Sequence, residues 1–343
     1  MPVTLAGGPP SIALADGTRL DMRAGTASAM SRGRNRTAVH RTTGGVPVFV
    51  KVLHGDPAEV AARWHRTVTF ERLVARPGAV PGLLSPRCLG WDEQSATLVF
   101  EDLTGAVAFD APTGDAASDA LAAGAGRVVA ALHEVDTRLP GWDRVDRTPP
   151  QRPELELLDA LTLTAYLAAS AAQLQLWALL QADRPVVDAL HRLRARERTV
   201  PHRPVHGDLR PDQFLRYRDR LHLTDWEDFR IADPARDIGN MAGSWLYRAV
   251  LAGGGTTALG RARRRIAAFW RGYVSGRGVP DAGFATRATA YAGWHQYDMS
   301  TALAARHSRL TGTAFATAGL GRQLLLDPGR LAATIGLGGA SSN

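Results

Sequence analysis

The chain has 343 residues, enough to bury one large core or two smaller ones, and its 45% hydrophobic and 22% charged content is that of a globular protein. A single cysteine, Cys88, excludes an intramolecular disulfide framework and a zinc knuckle, and no apolar run approaches the ~20 residues of a membrane span. The formal net charge of +8 favours anionic partners, but the arginines are dispersed and no aromatic-interleaved basic motif accompanies them, so nucleic acid is not an expected partner.

Residues 1–10 are rich in Pro and Gly and carry no basic stretch, so no signal peptide is expected and a cytoplasmic setting follows. Ser11–Ala15 and Thr18–Met22 flank Asp16-Gly17, a hairpin turn signal. A strand–loop–strand pattern follows, with Ser31-Arg32-Gly33-Arg34-Asn35 at its tip. That tip reads equally as an ordinary hairpin loop and as a glycine-containing loop that lets phosphate approach the backbone. The next strand, Val46–Leu53, contains Lys51, the only lysine among 41 lysines and arginines. A chain that writes Arg wherever a generic cation will do keeps this one compact ammonium for what a guanidinium cannot do.

Asp56-Pro57 is a natural helix start, and Val60, Trp64, Val68 and Glu71 recur at helical spacing through Ala75. Residues 86–92 and 96–101 read as two strands joined by a Glu93-Gln94 turn, and the second runs into Glu101-Asp102-Leu103. From Asp115 the pattern turns helical. Ala117–Val135 is rich in small residues and ends in Leu132-His133. The stretch 137–153, rich in Pro, Arg and Asp, reads as a surface loop. Helical runs over Glu154–Ala182 and Pro185–Arg198 precede the most informative segment.

That segment, His206 to Asp228, reads HGDLRPDQFLRYRDRLHLTDWED. Asp208 lies in a loop after a short apolar approach, and Asp225 follows the hairpin-like run Phe214–Leu223. Two acids at strand ends, one to orient a hydroxyl and one to hold a divalent metal, are what phosphoryl transfer requires, because positioning and charge neutralisation dominate that chemistry. Beyond it, Asp233 and Asp237 bracket a helix start. Helices are expected over about 238–252, 261–275, 284–310 and 313–332. Arg261, Arg263, Arg264 and Arg265 open one of them as a solvated face. His295, Tyr297, Asp298, Arg306 and His307 lie along the longest, as a solvated or packed face or an acceptor-lining one.

His206-Gly207-Asp208-x4-Gln213 followed by Asp225 resembles the catalytic segment of the aminoglycoside phosphotransferase and choline kinase families, small-molecule relatives of protein kinases. Gly207 stands where protein kinases have Arg, Trp226-Glu227 where they have Phe-Gly, and Gln213 where they have Asn. The resemblance implies an α+β, bilobal protein-kinase-like fold, with a small antiparallel β lobe carrying one helix over 1–103 and a larger, mainly helical lobe over 104–343. It implies ATP or GTP and Mg²⁺ as cofactors, Asp208 as catalytic base, Arg210 beside the transferred phosphate, and Asp225 with Gln213 as metal ligands. Nucleotide contacts would come from Lys51, from Ser31 and Gly33 in the loop, and from the main chain of Glu101 and Leu103. Glu71, with Glu59 second, would be the helix acid that holds Lys51. Asp233 and Asp237 would buttress the catalytic loop.

The acceptor is less legible. A polycationic aminoglycoside would meet repulsion from a +8 protein, so the charge favours Ser/Thr hydroxyls of a ribosomal precursor peptide with an acidic leader. A partner lyase would then give lanthipeptide- or thioamide-type products. An antibiotic kinase of aminoglycoside or macrolide type is the second expectation. A nucleotide-binding pseudokinase that assists another enzyme is the third, permitted by Gln213 and the sparse glycine loop.

Overall fold

Val48, Val50 and Val52 alternate with Pro47, Phe49 and Lys51, a period-two pattern rich in β-branched residues that favours a strand buried on one or both faces. In the computed structural model, which describes residues 11–13, 19–21, 28–29, 35–76, 79–111, 114–150, 156–278 and 280–338, this segment lies at the centre of a sheet. The chain forms two units. One comprises Met1–Phe109, Pro140–Val145 and Gln213–Phe229, the other Asp110–Leu139, Asp146–Asp212 and Arg230–Asn343.

In the first unit, β1 (Ser11–Ala13) and β2 (Arg19–Asp21) pair antiparallel with Ser11 opposite Asp21, the pairing expected of a hairpin, although its turn at Asp16-Gly17 lies outside the described residues. Strands β3 (Ser28–Ala29), β4 (Arg36–Arg41), β5 (Pro47–Val52), β6 (Cys88–Asp92) and β7 (Thr97–Glu101) form an antiparallel sheet in the order β3-β4-β5-β7-β6. Helix α1 (Pro57–Leu73) starts as the sequence predicts: the Asp56 carboxylate accepts from Ala58 N at 3.0 Å and Glu59 N at 3.3 Å, and Pro57 takes the first helical position, where no amide is needed.

Leu53, Leu98 and Val68 of α1 form one buried cluster, with Val60 and Trp64 packed against it. Leu98 is the cross-strand partner of Lys51, and opposed residues share a face, so β5 presents Lys51 on the α1 side of the sheet. Short strand β8 (Val107–Ala108) pairs with the hairpin of Phe214–Tyr217 and Arg220–Leu223.

Aromatic packing ties the segment after this hairpin to α1. The Phe70 ring stacks on Trp226 with centroids 3.7 Å apart, and Phe229 meets Phe70 edge-on at 5.4 Å. Trp142 closes the cluster against Phe229 at 6.2 Å. Over its described residues 137–150 the stretch is mostly exposed, as its polarity predicts, but the buried Trp142 and Val145 anchor it.

The second unit is helical: α2 (Asp115–His133), α3 (Glu156–Asp159), α4 (Leu163–Ala168), α5 (Ala171–Ala182), α6 (Arg184–Glu197), α7 (Ala235–Leu251), α8 (Thr256–Arg277), α9 (Phe284–Ala304), α10 (Gly312–Leu326) and α11 (Pro328–Ile335). Its strands are Arg203–Val205 and Arg230–Ala232, which pair antiparallel. The small residues of α2 allow backbone-to-backbone packing on α8. A Cβ on Gly126 would fall 2.1 Å from Phe269 O, and one on Gly272 would fall 2.0 Å from Ala123 O.

The single run expected over Glu154–Ala182 is instead three helices, because two hydroxyl caps interrupt it. Thr162 Oγ1 accepts from Ala165 N at 3.1 Å, and Ser170 forms a capping box with Gln173. Asp327-Pro328 likewise divides the last expected helix into α10 and α11, with Pro328 at a helix start. Among the described residues no helix is long and apolar enough to cross a membrane.

Candidate active site

In the first unit the Lys51 ammonium touches two carboxylates, Asp225 Oδ1 and Glu227 Oε1. Both acids come from one short segment after the hairpin, where Asp225 has left-handed backbone, φ +69° and ψ +56°. That conformation is costly for a residue with a Cβ, and it occurs where surroundings over-determine it, often at functional positions. It places Asp225 and Glu227, two residues apart, on the same ammonium. Burial opposes the charge on Lys51, but the two carboxylates outweigh it and hold its pKa above the ordinary lysine value.

Glu227 is itself held from the other side. Arg63 of α1, fully buried, donates from Nη1 to Glu227 Oε2 at 2.9 Å, and Asn35 Nδ2 donates to Glu227 Oε1 at 2.6 Å. Arg63 also reaches Asn35 Oδ1 at 3.0 Å and the His54 carbonyl at 2.5 Å. Arg66 Nε, one helical turn on, donates to the Glu227 carbonyl at 2.6 Å.

The residues here suit a magnesium ion. Asp225 is a hard oxygen donor with a third of its side chain exposed, and Mg²⁺ commonly takes one or two carboxylates, completing its octahedron with phosphate and water. Among the described residues no cluster of three or more His, Cys, Asp or Glu could hold a metal unaided. Gln213 is buried, and its Nε2 donates to Asp225 Oδ2 at 3.1 Å. In this orientation it braces the carboxylate; ligation would need its amide oxygen turned to the same place.

Glu71, expected to hold Lys51, does not. It is a largely buried acid near β6 that accepts from the Cys88 amide, and burial pushes its pKa up to about 8. Its Oε1 has no hydrogen-bond partner among the described residues. The second candidate, Glu59, is exposed and lies 3.9 Å from Arg63 Nε. Helical spacing counts turns, but the residue of α1 that turns to the Lys51 cluster is Arg63, and its acid comes from another segment.

The neutral Glu71 acid has a consequence for stability. Its folded pKa of about 8 lies above the 4.5 of the free group, so between these values the native state keeps a proton that the unfolded chain releases. The contribution is full below about pH 4.5 and is lost as pH rises through about 8. Glu71→Gln is expected to flatten that slope and to stabilise the protein above about pH 8 by on the order of 3 kcal/mol, read from denaturant midpoints across the range. An unchanged slope would show that Glu71 is ionised in the folded protein.

Ser31 and Gly33 lie outside the described residues. Glu101 ends β7; its amide donates to Arg87 O at 2.9 Å and its carboxylate accepts from Arg87 N at 2.8 Å. Leu103 O accepts from Ala106 N at 2.8 Å. The Glu101 amide and the Leu103 carbonyl are thus already engaged within the protein.

In the second unit the loop after Arg203–Val205 is held from below by Asp237, in the first turn of α7. Asp237 Oδ2 accepts from the His206 amide at 2.7 Å and Oδ1 from the Gly207 amide at 2.9 Å. Gly207 has φ +85°, a conformation that disfavours the Arg of protein kinases here, and its carbonyl accepts from Asn240 Nδ2 at 3.2 Å. Burial alone would raise the Asp237 pKa; hydrogen bonds from His133 and the His206 amide outweigh it and keep the acid ionised.

His133 Nε2 lies 3.2 Å from Asp237 Oδ2, and Nδ1 lies 2.9 Å from the Tyr273 hydroxyl, which in turn accepts from Arg277 at 2.5 Å. Burial lowers the His133 pKa, so a neutral ring with its proton on Nε2 satisfies the whole row. His133 is thus structural.

Next in this loop, Asp208 is 42% exposed, and Arg210 Nη2 lies 3.3 Å from Asp208 Oδ2 and 3.6 Å from Asp212 Oδ2. Arg210 thus stands beside Asp208, where a cation would favour charge building on a nearby group. His295 and Tyr297 of α9 are buried, and His295 Nε2 sits 3.1 Å from Ser244 Oγ, so these two belong to a packed face.

Comparison with known proteins covers most of the chain. The model of the "Phosphotransferase enzyme family" matches residues 26–276. The fold is similar to that of amicoumacin kinase hAmiN in complex with AMP-PNP, Ca²⁺ and Ami, with a TM-score of 0.60 at 13% identity over 90% of each chain. It is similar to choline kinase LicA from Streptococcus pneumoniae, TM-score 0.55 at 15% identity over 88% of this chain and 94% of that one. Macrolide 2'-phosphotransferase MphH from Brachybacterium faecium gives a TM-score of 0.51 at 19% identity over 88% and 93%. No curated protein sequence matches.

Proposed function

Because the chain belongs to the phosphotransferase enzyme family, we propose that it transfers the γ-phosphoryl group of ATP or GTP to a substrate hydroxyl, with Mg²⁺ as the metal. The observation that carries this reading is the placement of the only lysine against Asp225 and Glu227. An ammonium there suits nucleotide phosphates, and a partly exposed carboxylate beside it suits the metal. Bound Mg²⁺ would offset charge across the phosphates.

Asp208 orients the acceptor oxygen and takes its proton late, as the new O–P bond forms and the bond to the leaving diphosphate breaks. A positioning aspartate needs no raised pKa for this. Arg210 favours the charge that develops on the transferred group. Lys51 fixes the nucleotide phosphates.

For the acceptor, the net charge of +8 supports an anionic partner, and we place the Ser/Thr hydroxyls of an acidic precursor peptide first, ahead of a cationic antibiotic. The test is mass spectrometry after incubation with ATP and Mg²⁺, with acidic Ser/Thr peptides in one arm and aminoglycosides and macrolides in the other. Phosphorylation of peptide alone is the expected result. Phosphate on an antibiotic alone overturns the acceptor assignment, and nucleotide binding with no transfer in either arm points to a pseudokinase.

A further inference from the structure

We infer that Glu227, clamped by Arg63 and Asn35, is the positioning acid of Lys51, so that the anchor is carried by the segment after the catalytic hairpin and helix α1 supplies a cation in place of an acid. The inference rests on the proposed role of Lys51 toward nucleotide phosphate and deepens it. It does not follow from the family pattern, in which the lysine pairs with a helix glutamate.

Two acids touch Lys51, but they differ in what else they can do. Asp225 is a third exposed and is the donor that fits magnesium; Glu227 is 8% exposed. Both Glu227 oxygens are committed to the protein, Oε2 to Arg63 and Oε1 to Asn35 and Lys51. A carboxylate so engaged has little capacity left for a ligand. When Asp225 turns to a metal, Glu227 keeps the ammonium in place.

The buried Arg63 supplies the opposite charge without which a carboxylate at that depth would be costly. Asn35 reaches both members, accepting from Arg63 at 3.0 Å and donating to Glu227 at 2.6 Å. Lys51, Glu227 and Arg63 thus alternate in sign, and Glu71 takes no part.

A chain with one lysine offers a direct reading: ε-amine acylation by an N-hydroxysuccinimide ester, followed at Lys51 by peptide mass spectrometry, reports that amine alone. Glu227→Gln is expected to speed labelling by about tenfold, since the amine loses one of the two carboxylates that hold it in place. In parallel calorimetry it is expected to weaken magnesium–AMP-PNP binding by about tenfold, a loss expected of an unheld phosphate ligand. Glu227→Asp, which keeps the charge on a shorter stem, recovers part of both. Glu71→Gln changes neither.

Thermal melts of each variant identify a global loss of folding, which would move labelling and affinity together in both glutamine variants. Labelling and affinity unchanged in Glu227→Gln, or moved by Glu71→Gln instead, would overturn the assignment. The underlying phosphotransferase reading is judged separately in the wild-type protein: it fails for Lys51 if magnesium–AMP-PNP gives no protection from acylation, whatever Glu227→Gln does.

Discussion

Asp208→Ala is expected to cut phosphoryl transfer by at least about 10³-fold while leaving magnesium–AMP-PNP affinity within about twofold of wild type. The side chain stands on a loop whose backbone is fixed separately, through the His206 and Gly207 amides on Asp237. Its removal therefore takes away the carboxylate proposed to orient the acceptor and leaves the loop's support intact. Its own pairing with Arg210, at 3.3 Å and partly exposed, is of the kind worth little to stability, about 0–1 kcal/mol.

Asp225→Ala should behave differently and lose both transfer and metal-dependent nucleotide affinity, because the carboxylate is the donor that fits the metal. Steady-state transfer and calorimetry on the two variants separate these outcomes. Near wild-type transfer by Asp208→Ala would remove it from the chemistry altogether.

Asp237→Ala is expected to destabilise the protein by about 3–5 kcal/mol, the scale of a buried ionic cluster that loses one member. Three donors lose their acceptor at once: the His206 amide, the Gly207 amide and His133 Nε2. Transfer should fall even at temperatures where the variant stays folded, since the backbone that presents Asp208 is no longer pinned. Asp237→Asn keeps one oxygen acceptor but turns an amide group toward a donor, so its cost should lie between alanine and wild type. The check is denaturant unfolding alongside transfer rates. A loss below about 1 kcal/mol for Asp237→Ala would mean that water or another group satisfies those amides.

The segment around Asp208 was readable because its chemistry is local: a glycine that tolerates φ +85° next to an acid, a hairpin, then a second acid, all within 23 residues. Helix starts were readable for the same reason. Asp56-Pro57 caps α1 as its residue types predict, and the Thr162 and Ser170 caps that divide the 154–182 run were visible as residue types, though helical periodicity hid them.

Trp142 was obscured by the polar residues around it, since average polarity of a stretch says nothing about one indole that finds a ring to pack on. Arg63 carried no signal at all among 41 lysines and arginines. Glu227 does carry one, two residues after Asp225, whereas helical periodicity points to Glu71.

By itself, then, the amino-acid sequence determined the α+β class, the family resemblance, the loop that carries Asp208 and the singular status of Lys51. These depend on residue types and short spacings, which backbone sterics and hydrogen bonding translate directly into turns, caps and strands. Only the tertiary structure decided which acid meets Lys51 and which cation meets that acid. The contacts span 174 residues from Lys51 to Asp225 and 164 from Arg63 to Glu227. A buried charge is tolerated only where packing brings an opposite one within reach, and no local pattern encodes that distance.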